Sequence, residues 1–172
     1  MPGQLKEVRS RIKSVGNTQQ ITKAMKVVSA AKLRKAQDRI IQMRPYSNKL
    51  NEMLSNIAGG SEGASSVSFA VEREVKNVLL IVVTSDRGLC GGFNSNILKT
   101  AMRNISENYG SQMAAGNITV LPVGKKALEF FRRKNIKVMA EYSTLFTDLN
   151  FDNASKAAQW AMDNFESKNF DK

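Results

Sequence analysis

The sequence predicts an α/β protein built from a long N-terminal coiled-coil helix and a mainly parallel α/β domain that is incomplete at its C-terminus. Three observations carry that reading. Apolar side chains recur on one seven-residue register over the first fifty-odd positions. A Gly/Ser-rich stretch, AGGSEGASSVS, follows at 58–68. Strand-like and helix-like segments then alternate three times. The expected boundaries are 1–57 for the helix, 58–74 for the linker and 75–172 for the α/β domain.

Residues 4 to about 57 read as one helix. Leu5, Val8, Ile12 and Val15 are spaced by three and four, and so are Leu33, Ala36, Ile40, Met43, Leu50, Leu54 and Ile57 with one gap. Val8, Val15, Ala36, Met43, Leu50 and Ile57 share a single register, the a/d pattern of a coiled coil. At 1.5 Å per residue such a helix reaches roughly 80 Å. Gly16 and Pro45 are its weak points, the first by backbone entropy and the second by a lost hydrogen bond. A local kink or break is expected near Arg44. A helix of this length cannot bury its own stripe. The later helical segments are each about four turns or shorter, so the partner helix is expected from another chain or from sequence not present here.

Between its two apolar stretches the seam turns polar. The register positions there are Gln19, Thr22, Lys26 and Ser29, while Ile21, Met25 and Val28 are displaced by one residue. One residue is about 100° of helix. Lys23, Lys26, Lys32, Arg34 and Lys35 surround this band. A cationic, partly apolar band suits a protein surface with acidic elements.

The alternation begins with NVLLIVVTS at 77–85, a β-branched run typical of a strand covered on both faces. A helix over 94–107 follows, with Asn94 or Ser95 as N-cap. ITVLPV (118–123) is the second strand and 125–134 a short helix with Ala127, Leu128 and Phe131 on one face. IKVMAEY (136–142) is the third strand, and 153–165 an amphipathic helix. Repeated strand–helix units argue for a mainly parallel sheet. Three strands make a small sheet, so a further strand is the expected continuation.

Composition narrows the chemistry. The 172 residues include 26 Lys and Arg against 15 Asp and Glu, one cysteine and no histidine. A single cysteine excludes an internal disulfide or a multi-cysteine metal site. Without histidine the commonest general base and metal ligand is missing. The charge is uneven: residues 1–56 hold twelve cations and three anions, the rest fourteen and twelve. A basic arm on a near-neutral domain points to an acidic partner: nucleic acid, an anionic lipid surface or an acidic protein. No apolar run approaches the roughly eighteen residues of a membrane span, and MPGQLKEVRSRIK lacks the apolar core of a secretory signal.

TSDRGLCGGFN (84–94) lies between the first strand and the next helix, where phosphate loops sit in α/β folds. Gly88, Gly91 and Gly92 match neither G-x-G-x-x-G nor a loop ending in G-K-[ST]. They fit a tight strand-to-helix turn better than a nucleotide site. Cys90 could gain thiolate character from Arg87, but with Asp86 adjacent a small packing residue is the expectation. Asp86, Glu129, Glu141, Asp148 and Asp152 show no metal spacing. Phe130 and Phe131 beside Arg132, Arg133 and Lys134 read as an ordinary helix end, its cations favoured by the C-terminal dipole.

IKSVGNTQQITKAMKVVSAAKLRKAQ together with TSDRGLCGGFN closely resembles the gamma-subunit family of the rotary F-type ATP synthases, the bacterial form more than the mitochondrial one. The resemblance covers the whole chain. It implies a central-stalk rotor that couples proton-driven rotation to ATP synthesis or hydrolysis on the beta subunits. It further implies a Rossmann-like domain not known for binding nucleotide, and a chain that supplies no catalytic group and carries no cofactor. The implied partners are the alpha and beta subunits of the catalytic ring, the epsilon subunit and the membrane c-ring. The implied location is peripheral, on the cytoplasmic face of the bacterial inner membrane. Lys23, Met25, Lys26, Arg34 and Lys35 become candidate contacts to the beta subunit. The family's C-terminal helix has no counterpart in these residues. The alternatives are a basic coiled-coil nucleic-acid-binding protein, and a nucleotide-dependent enzyme using the 84–94 loop.

Overall fold

A computed structural model of the chain describes residues 2–59, 69 and 73–172. Most of the expected 58–74 linker, at 60–68 and 70–72, lies outside the described residues. The chain divides into two units, Met1–Ala64 and Ser65–Lys172.

The first unit is a single helix, α1, over Pro2–Gly59. The expected break near Arg44 does not occur. Pro45 sits inside the helix, which continues for fourteen more residues to Gly59. From 4 to 57 every side chain is exposed, and only Gly16 is half-buried. The seam residues are open to solvent, Ile12 and Val15 at 67% and Ile40 at 53%.

The second unit holds a three-stranded parallel sheet in the order β1 (Val78–Val83), β2 (Ile118–Val123), β3 (Lys137–Val138). β1 and β2 pair along their whole length, from Val78 opposite Ile118 to Val83 opposite Val123. β2 is central and buried at every position, which is why its sequence does not alternate. α2 (Phe93–Asn108) supplies Ala101 and Ile105 to the core, and α4 (Lys125–Arg133) supplies Ala127 and Phe131. These pack on Val78, Val82, Ile118 and Val120. A short helix, α3 (Gly110–Ala114), lies between α2 and β2 and was not expected from the sequence. α5 (Phe151–Glu166) is capped by Asn150, whose side chain accepts the Asn153 N–H at 2.8 Å.

The third strand is a correction. Seven residues were expected and two are paired. The cause is in the neighbouring strand. Met139 N–H still donates to Val120 O at 2.9 Å. The next ladder bond on that side would need an N–H from Pro122, which has none. The chain instead turns at Ala140 into a 3-10 helix, Glu141–Asp148. Ser143, buried, accepts the Gly124 N–H at 3.0 Å through its carbonyl and donates its hydroxyl to Ala140 O at 2.7 Å.

Arg73 and Asp171 tie the entry of the domain to its last turn. The Arg73 guanidinium donates to Phe165 O at 2.8 Å and lies 4.1 Å from the Phe165 ring centroid. Asp171 Oδ2 accepts the N–H groups of Lys76 and Asn77 at 3.0 and 2.9 Å. Asp171 N–H and Lys172 O bond in turn to Asn77 O and Leu79 N–H, along the edge of β1 that β2 leaves open.

Candidate functional site

The five candidate contact residues all lie on α1, fully on its surface. The helix does not bring them to one face. At 100° per residue, Lys23, Lys26 and Arg34 fall within about 80° of one another. Met25 lies on the opposite side with Ile21 and Val28, and Lys35 lies between the two. Lys23 and Lys26 border a shallow groove with Ser14, Val15, Thr18, Gln19 and Thr22. The cations are electrostatically unanswered: the ion pairs on α1 among the described residues are Arg11–Glu7 and Lys49–Glu52, both 2.9 Å. Exposed pairs of this kind contribute at most about 1 kcal/mol. Ten of the twelve cations of 1–56 therefore make no ion pair among the described residues.

The 84–94 loop uses its polar groups on the protein itself. Thr84, buried, accepts the Ala127 N–H at 2.9 Å, and Asp86 accepts the Lys125 N–H at 3.0 Å. Both satisfy free donors of the first turn of α4. Gly124 sits at φ 112°, and a Cβ there would come within 2.1 Å of Thr84 O. At the base of the loop Ser85 N–H donates to Asn94 Oδ1 at 3.0 Å, and Asn94 Nδ2 donates to Ser85 Oγ at 2.8 Å. Asn94 therefore fastens the loop and does not cap α2. The residue before α2 is Gly92, which makes no side-chain cap. Leu89 and Gly91 adopt φ 63° and 59°. This is the wiring of a strand-to-helix turn, as expected. Cys90 departs from expectation: it is exposed, and Asn94 Nδ2 donates to its sulfur at 3.2 Å. Leu89 is wholly exposed at the tip.

Perturbed titrations do not converge on a catalytic constellation. The Lys126 hydrogen bond lowers Glu129, burial raises Tyr142, and the Asn77 N–H lowers Asp171. These groups stand on α4, the 3-10 helix and the C-terminal turn. Among the described residues no cluster of three His, Cys, Asp or Glu could hold a metal ion. Nor is any described helix long and apolar enough to cross a membrane.

The long basic helix and the parallel α/β unit together match a family model described as ATP synthase, over residues 4–172. The chain is 50% identical over 157 residues to the ATP synthase gamma chain of Chlorobaculum tepidum, covering 91% of this chain and 54% of that one. It is 48% identical over 168 residues to the ATP synthase gamma chain of Cytophaga hutchinsonii, covering 98% and 57%. To that of Chloroherpeton thalassium it is 45% identical over 168 residues, covering 98% and 55%. The chain belongs to the ATP synthase gamma-chain family. It spans about half the length of the curated relatives it matches.

Proposed function

We propose that this chain is the stalk portion of the central rotor of a bacterial F-type ATP synthase. In this reading it couples proton-driven rotation to ATP synthesis and hydrolysis on the beta subunits and supplies no catalytic group. The observation that carries the reading is α1 itself: one unbroken helix whose apolar seam is exposed at both ends and polar in the middle. A second long helix would cover the seam. The polar, cationic middle would face the acidic surface of the surrounding alpha and beta subunits, and its asymmetry would bias each beta site differently as it turns. Residues 1–57 form the shaft, 58–74 the connector and 75–172 the domain that meets the epsilon subunit and the c-ring. The assembly would then be peripheral, on the cytoplasmic face of the inner membrane.

Lys23, Lys26 and Arg34 are the contacts on one flank, with Met25 and Lys35 presented to other subunits of the ring as the shaft rotates. The test is Met25→Lys or Met25→Glu in the complete complex, measuring ATP hydrolysis and proton pumping in the same vesicles. Hydrolysis that persists while pumping falls supports the assignment. Unchanged coupling refutes it. A basic coiled coil acting on nucleic acid would instead show filter binding that weakens steeply with salt, the slope following the number of phosphates contacted.

A further inference from the structure

α1 carries three softening features in one stretch of nine residues, 14–22. Gly16 has no side chain to restrict its backbone, and a Cβ added there would meet nothing within 4 Å. Thr18 Oγ1 donates to Ser14 O at 3.0 Å, and Thr22 Oγ1 donates to Thr18 O at 2.8 Å. In an α-helix those carbonyls already accept the amides of Thr18 and Thr22. Each therefore serves two donors, an arrangement that weakens the ladder and bends helices. The third feature is the seam. Thr22 stands on the register of Val8, Val15, Ala36 and Met43, and Gln19 on that of Leu5, Ile12, Leu33 and Ile40. A partner helix would therefore grip α1 up to Val15 and again from Leu33, and not at Gln19 or Thr22.

We infer that residues 14–22 form a compliant joint in α1, where the helical hydrogen bonds open more readily than in the turns on either side. The two-sided grip rests on the stalk reading above; the local softness does not. The joint lets the first three turns of the helix swivel or shift against the rest without unwinding the apolar stretches. It also places the give next to Lys23 and Lys26, which border the groove over this segment.

Amide hydrogen exchange tests this on the complete ATP synthase and, separately, on the chain alone. The amides of 16–23 should exchange roughly tenfold faster than those of 5–12 and 33–43. Gly16→Ala should slow exchange in that window by roughly fivefold, and adding Thr18→Ala and Thr22→Ala should bring it level with its flanks. Equal exchange along the wild-type helix overturns the joint. So does a triple variant that slows exchange uniformly along α1, or nowhere. A chain that fails to assemble with its complex refutes the stalk reading instead, and the exchange profile of the chain alone still decides the joint.

Discussion

α1 and β2 both carry a row of aliphatic residues and leave them in opposite environments. β2 buries all six of its residues, Ile118 and Val120 among them in the cluster that α2 and α4 complete. α1 leaves every described side chain from 4 to 57 exposed apart from the half-buried Gly16. The difference lies in what each can reach. A six-residue strand finds its neighbours within a hundred residues of chain. A helix of 58 residues is longer than any surface its own unit offers. The same apolar side chain is therefore a folding determinant in one unit and an assembly determinant in the other.

The sharpest way to break that contrast is Phe131→Ala. Phe131 is fully buried and meets Phe130 edge-on at 5.2 Å. Removing it should cost the α/β unit about 3–5 kcal/mol, read as a lowered urea midpoint for Trp160 fluorescence. A loss under 1 kcal/mol would mean the core does not depend on α4.

Asp171→Asn should cost about 1.5–3 kcal/mol, because a charged acceptor for two backbone N–H groups is lost. The pH dependence follows from its lowered pKa, caused first by the Asn77 N–H. A carboxylate depressed in the folded state stabilises fully above its unfolded value, near 3.8, and the benefit disappears as pH falls through the lower folded value. Urea midpoints between pH 7 and 2.5 should stay level for this contribution down to about pH 5 and then decline. The Asn variant should lack that component of the decline, and identical acid limbs would remove Asp171 from the account.

The smallest effect is expected at Leu50, 41% exposed on the seam. Leu50→Ala should change the stability of the chain alone by less than about 0.5 kcal/mol. Placed in the complete assembly, the same substitution should loosen the stalk measurably. An equal, small effect in both settings would end the distinction between folding and assembly positions.

Much of this was readable beforehand because it depends on short-range periodicity. The heptads announced α1, and the β-branched run at 77–85 announced β1. What failed depended on a neighbour distant in sequence. β3 stops at Val138 because of a proline in β2, although its own residues favour a strand. Asn94 looked like a cap, yet Ser85 on the other side of the loop claims its side chain. Cys90 looked like packing, but the loop carries it outward. On α1 the candidate residues came from the displaced stripe, the cations around it and the family resemblance. Their spread around the helix was computable from their numbers, since Met25 is two residues from Lys23 and nine from Arg34.

The loop at 84–94 is laced shut at its base by Ser85 and Asn94 and bolted to α4 through Thr84 and Asp86. Its tip, Leu89, touches only solvent. Such a projection behaves as a stud and not as a tether. A push on Leu89 is delivered to the ends of β1 and α4 together, so the sheet takes the load with little slack in between.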